Sequence, residues 1–159
     1  MRDFLTGTAL VFNLVYTLAL YAGMAVSLYA IAKNNNVRHA WRAFVPVLQY
    51  YIIGTLCEEY VVFGFRIRCL QWSMVGLELL QTFLGFFGGF LFFPVRILVN
   101  LLLVLVLHKF FYLFDPRRAV LYALLTMLGR LPLVILLFVI KDKPMVMSAG
   151  AFPYPFARR

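Results

Sequence analysis

The chain has 159 residues, of which 64% are apolar and only 13% charged, against about 45–50% and about 25% in an ordinary soluble domain. With a mean hydropathy of +0.91 there are too few polar side chains to coat an 18.3 kDa particle, which excludes a water-soluble globule and makes the bilayer much of the solvent. The net charge of +9 is spread singly or in pairs between apolar runs, as on flanks facing anionic headgroups, and no nucleic-acid recognition motif accompanies it.

Residues 4–32 form an uncharged apolar run. At about 1.5 Å per residue it exceeds a hydrocarbon core of about 30 Å, so it reads as an uncleaved first span; the apolar region of a signal peptide is about 7–15 residues. Lys33 and three asparagines end it. In residues 37–57, Trp41, Phe44, Leu48, Ile52 and Leu56 recur at helical spacing, and Pro46 interrupts the ladder. The apolar part after Pro46 is too short to cross, which predicts an interfacial or re-entrant helix kinked at Pro46 and anchored by Trp41, Tyr50 and Tyr51. Glu58, Glu59, Arg66 and Arg68 make a mixed-charge connector at the membrane surface.

A second span is expected over residues 72–93, with Glu78 and Gln81 in its first half. Gly85, Gly88 and Gly89 in its second half are candidate packing positions, since small residues four apart let helices approach closely. A third span is expected over 97–114, with His108 and Lys109 near its end. Asp115-Pro116 reads as a helix start, with aspartate as N-cap and proline in the first turn. A fourth span follows over 120–140, interrupted by Gly129-Arg130-Leu131-Pro132, where Pro132 should kink the helix. Residues 144–159, with Pro144, Pro153 and Pro155, read as a flexible tail carrying Phe152, Tyr154 and Phe156 as a possible docking peptide.

The expected fold class is therefore an all-α, polytopic integral membrane bundle of about four transmembrane helices plus one interfacial or re-entrant helix, in a single domain over residues 1–143. Counting basic residues puts Lys33, Arg38, Arg42, Arg66, Arg68, Lys109, Arg117 and Arg118 on one face. Arg2, Arg96, Lys141, Lys143, Arg158 and Arg159 fall on the other. By the positive-inside rule the first face is inner and both termini are outside.

Tyr29-Ala30-Ile31-Ala32-Lys33, Ala40-Trp41-Arg42-Ala43-Phe44-Val45-Pro46 and Tyr51-Ile52-Ile53-Gly54, with the closing Leu137-Phe138-Val139-Ile140-Lys141-Asp142-Lys143-Pro144, together resemble a pattern in uncharacterised small bacterial membrane proteins. In these, a helix ending in lysine is followed by A-W-x-A-apolar-apolar-P. The resemblance implies a multi-pass protein of the bacterial plasma membrane and brings no activity with it.

No catalytic, cofactor or metal site is indicated. Ser27, Ser73 and Ser148 lie outside any G-x-S-x-G turn, there is no H-E-x-x-H helix, and Cys57 and Cys69 belong to no CxxC pair. His39 and His108 read as interfacial histidines. Three functions remain: a non-enzymatic subunit of a membrane complex, partnered by lipid headgroups and by a membrane protein or a second copy; a transporter or channel component using Glu78 and Arg130; or an enzyme on a lipid-type substrate. Glu78 and Arg130 are expected to pair between spans two and four, because an arginine at mid-membrane costs about 2.5–3.5 kcal/mol on insertion scales.

Overall fold

A computed structural model of the chain describes residues 2–58, 60–62, 65–67, 69–86 and 93–146. The fold is helical. Among the described residues there are six α-helices, α1 (Arg2–Asn34), α2 (Gln49–Cys57), α3 (Leu70–Phe86), α4 (Phe93–Phe114), α5 (Ala119–Thr126) and α6 (Arg130–Ile140), with a 3-10 helix at Ala40–Phe44. Among the described residues, two helical stretches are long and apolar enough to cross a membrane, Thr8–Asn34 within α1 and Phe93–Phe114.

The sequence reading missed one element. Strands β1 (Tyr60–Val62) and β2 (Phe65–Ile67) pair antiparallel, with Tyr60 opposite Ile67 and Val62 opposite Phe65. Aromatic and β-branched residues suit a pleated pair and give the mixed-charge connector a shape of its own. Glu59 and Arg68 lie outside the described residues.

Helix α4 is central and packs on α2, α3 and α5. Val99, Leu103, Val106, Leu107, Phe110, Phe111 and Phe114 are buried along it, at the spacing that keeps one helix face turned inward. The second half of α1 buries Met24, Ala25, Leu28, Ile31 and Ala32, whereas Leu10, Val11, Phe12, Leu14, Val15 and Leu18 in its first half are exposed.

Residues 37–57 are not one kinked helix. Val45 is extended at φ −100°, ψ 121°, the conformation that a following proline imposes, so Pro46 separates the 3-10 helix from α2. The segment leaves the end of α1 with a bond from Val37 N to Ala32 O. It then runs beside α1 until the Tyr21 hydroxyl donates to the Phe44 carbonyl. Tyr21 is about 19 Å along α1 from Asn34. Helix α2 returns beside α3 to the end from which the segment left, making a first inward-folded helical hairpin.

The second hairpin corrects the expected fourth span. Residues 120–140 form two helices, and the chain comes back to the end at which it entered. Lys143 Nζ meets Asp115 Oδ2 at 3.3 Å, Val146 N donates to Leu113 O at 2.8 Å, and Asn34 Nδ2 donates to Lys141 O at 3.0 Å. Were α5 and α6 collinear, their far end would lie about 30 Å from residue 115, beyond the reach of the few residues after Ile140. The turn is at Gly129, whose φ of 131° and ψ of −169° are open essentially to glycine alone. The break thus falls at Gly129 and not at Pro132, which sits in the first turn of α6 where no N–H is needed. Asp115-Pro116 likewise begins a turn: α5 starts only at Ala119, its N-cap is Arg118, and the Asp115 carboxylate goes to Lys143.

Candidate functional site

The two hairpins point their inner ends at one another across α3. Tyr50, in the first turn of α2, donates its hydroxyl to the Glu78 carboxylate. Arg130, the first residue of α6, donates Nη2 to Glu78 Oε1 at 3.3 Å. Glu78 therefore receives one donor from each hairpin.

These groups line a cavity of about 460 Å³ between α2, α3, α4 and the α5–α6 turn. Its other polar walls are Gln81, Asn100 and Thr126. Gln81 Nε2 donates to Asn100 Oδ1 at 2.9 Å, and Asn100 Nδ2 donates to the Arg96 carbonyl at 2.9 Å. Thr126 Oγ1 donates to the Ala123 carbonyl at 2.7 Å, near the end of α5. Asn100 is about 10 Å from the start of α4, and Glu78 about 12 Å from the end of α3, so the cluster lies well inside the length of the bundle.

The glutamate side chain is 13% exposed and the arginine 71%. The cavity is thus open sideways on the Arg130 flank, between apolar walls that include Leu101, Leu103 and Leu107. Chemically it offers one anion, one cation, two amides and two hydroxyls. It holds no histidine or thiol among its lining residues.

The other expected positions separate from this site. Trp41 is exposed on the 3-10 helix, and Pro46 is exposed after it. Gly85 faces open space within the chain, and Gly88 and Gly89 lie outside the described residues, as do Phe152, Tyr154, Phe156, Arg158 and Arg159. The close helix contact is at Gly54 instead. A Cβ there would come within 2.5 Å of Gln71 Cα, so α2 and α3 meet backbone to backbone.

His108 is half-buried beside Tyr112, and His39 is exposed. Lys109, expected at a membrane edge, is fully buried and donates Nζ to the Cys57 carbonyl at 2.8 Å. Tyr50, expected as an interfacial anchor, instead faces Glu78, and sequence reasoning missed Asn100 and Thr126. Asn100 had a signal, being the one amide in an otherwise apolar run from residue 97 to 107.

No family model, curated protein or solved structure matches the chain.

Proposed function

We propose that the chain is a multi-pass protein of the plasma membrane that works as a non-enzymatic component of a membrane complex, with the Glu78–Arg130 cavity covered by a partner chain or a second copy. The observation that carries this reading is the exposed Arg130 guanidinium at the inner end of a folded-back hairpin. One carboxylate offsets part of the cost of that charge at membrane depth, but acyl chains cannot solvate the rest. Irregular backbone such as 127–129 is tolerated at that depth only against protein or water. The outward-facing Leu124, Met127, Leu128, Ile135 and Phe138 suit hydrocarbon, which supports the membrane setting.

In this reading α1, α3 and α4 cross, and both hairpins enter from the inner face. Lys141, Lys143, Arg158 and Arg159 then join Lys33, Arg38, Arg42, Arg66, Arg68, Arg117 and Arg118 on that face, with Lys109 buried, leaving Arg2 and Arg96 outside. A near-even distribution becomes a lopsided one, which favours an outer amino terminus and an inner carboxyl terminus.

Extraction in a mild detergent followed by native mass measurement tests the proposal. A stoichiometric second chain or copy is expected, released in Arg130→Gln; a lone 18.3 kDa monomer contradicts it. A second reading, a solute pathway, is favoured by the polar walls Gln81, Asn100 and Thr126 beside the turn. It requires Asn100→Cys, in a Cys69→Ser background, to react with a water-soluble thiol reagent in sealed membranes, whereas a partner-covered cavity leaves it unreactive until the complex is dissociated.

A further inference from the structure

A second recess, of about 550 Å³, lies at the opposite end of the first hairpin, where the end of α1, the 3-10 helix, the end of α2 and the segment after α6 converge. Its walls carry Arg38, His39 and Arg42. The Arg42 guanidinium lies 4.7 Å from the centre of the Tyr51 ring, a cation–π contact that holds it at the recess wall. Asn35, Asn36 and Thr55 add neutral polar groups.

The backbone around this recess is unusual. Among the described residues, the non-glycine positions with positive φ are Asn36 at 54°, His39 at 67° and Glu58 at 57°, and all three line the recess. Each is a conformation that L side chains adopt at a cost, and such residues gather where a site rather than the chain dictates geometry. Glu58 is the one carboxylate among the lining residues, and no ion pair joins it to Arg38 or Arg42 among the described residues. Two guanidiniums and an imidazole, which keeps an N–H in either neutral tautomer, thus line one recess without an ion pair to its carboxylate. Trp41 stands exposed on the 3-10 helix that carries Arg42, as an aromatic at a headgroup boundary does.

We propose that this recess binds a phosphate group, with Arg38, His39 and Arg42 as its donors. Planar guanidiniums match phosphate oxygens two at a time, which a scatter of surface lysines does not. The shared chemistry is a phosphate with free anionic oxygens, carried either by a lipid headgroup of the inner leaflet or by a soluble phosphate.

The test uses the full chain in a neutral detergent, with melting temperature and native mass adducts as readouts. The probes are dioleoyl phosphatidic acid, dioleoylglycerol as the same lipid without phosphate, and inorganic phosphate. Phosphatidic acid is expected to raise the melting temperature and form a one-to-one adduct, and dioleoylglycerol to do neither. Arg38→Gln, at an exposed residue, should leave the lipid-free melting temperature unchanged and weaken the adduct about tenfold. Arg117→Gln with Arg118→Gln, on the same end but outside the recess, should keep it. Equal protection by inorganic phosphate, lost in Arg38→Gln, assigns the site to a soluble phosphate; protection by phosphatidic acid alone assigns it to lipid. The proposal is overturned if dioleoylglycerol protects as well as phosphatidic acid, if no phosphate probe binds, or if the Arg117/Arg118 variant loses binding as fully as Arg38→Gln.

Discussion

The Lys109 ammonium donates to the Cys57 carbonyl at 2.8 Å inside the bundle, so α4 holds the last turn of α2. A cation at a helix C-terminus meets both an unsatisfied carbonyl and the negative end of the helix dipole. The same lysine lies 6.0 Å from the centre of the Tyr60 ring, which ties the first hairpin to β1. Lys109→Met keeps the apolar stem but strands the carbonyl, and should lower stability by about 2 kcal/mol. Lys109→Ala adds a cavity and should cost about 2 kcal/mol more. Thermal unfolding in detergent reads both, and an unchanged midpoint in Lys109→Ala would show that this contact does not hold α2.

Gly54 and Gly85 predict opposite outcomes for one substitution. Gly54→Ala forces a methyl to within 2.5 Å of the Gln71 backbone, so α2 and α3 must separate and folded yield should fall sharply. Gly85→Ala meets nothing within the chain and replaces a poor helix former, so the isolated chain should gain up to about 1 kcal/mol. Comparable yields of the two variants would contradict the close approach at Gly54.

Gln49 is buried, and its Nε2 has no hydrogen-bond partner among the described residues. Gln49→Met keeps the volume and removes the stranded donor, so the melting temperature should rise, by about 1 kcal/mol in stability. A fall would mean that the amide is satisfied in the folded protein.

The two thiols should behave differently. Burial pushes the Cys57 thiol up to about 12, so the reactive thiolate is scarce at neutral pH and forms only as pH approaches that value. Cys69 is exposed. Maleimide at pH 7 should modify one thiol per chain, removed by Cys69→Ser and retained in Cys57→Ser; peptide mass mapping that finds Cys57 modified in folded protein contradicts its burial.

Much of the helical framework was legible because long apolar runs have few alternatives, and α1 and α4 follow the runs closely. An interruption at Pro46 was legible from its missing N–H, but it read as a kink within one helix, whereas the extended Val45 makes it a break between two helices. Glu78 and Arg130 stood out because charge inside an apolar run must find a partner, and the structure brings them to 3.3 Å.

The return of residues 120–140 was not legible from length, since a mostly apolar run of 21 residues describes a crossing and a folded-back hairpin equally well. Two signals were present: a glycine followed by an arginine in mid-run, and the basic residues after Ile140, which under the proposed topology suit the face that carries the first connector. Lys109 was misread because a lysine near the end of an apolar run usually reaches for water. Only the tertiary position of the α2 C-terminus makes an interior destination favourable.

The central claim is that α5 and α6 form a hairpin which brings the chain back to the side of the first connector. The most direct test is the sidedness of single thiols in a Cys57→Ser background, using a membrane-impermeant maleimide on intact cells and on inside-out vesicles. One chain carries native Cys69 alone; the others carry Asp142→Cys or Arg96→Cys with Cys69→Ser. The account predicts that Cys69 and Asp142→Cys label only in inside-out vesicles, and Arg96→Cys only in intact cells. Labelling of Asp142→Cys from the side opposite Cys69 would make residues 120–140 a crossing and contradict the hairpin.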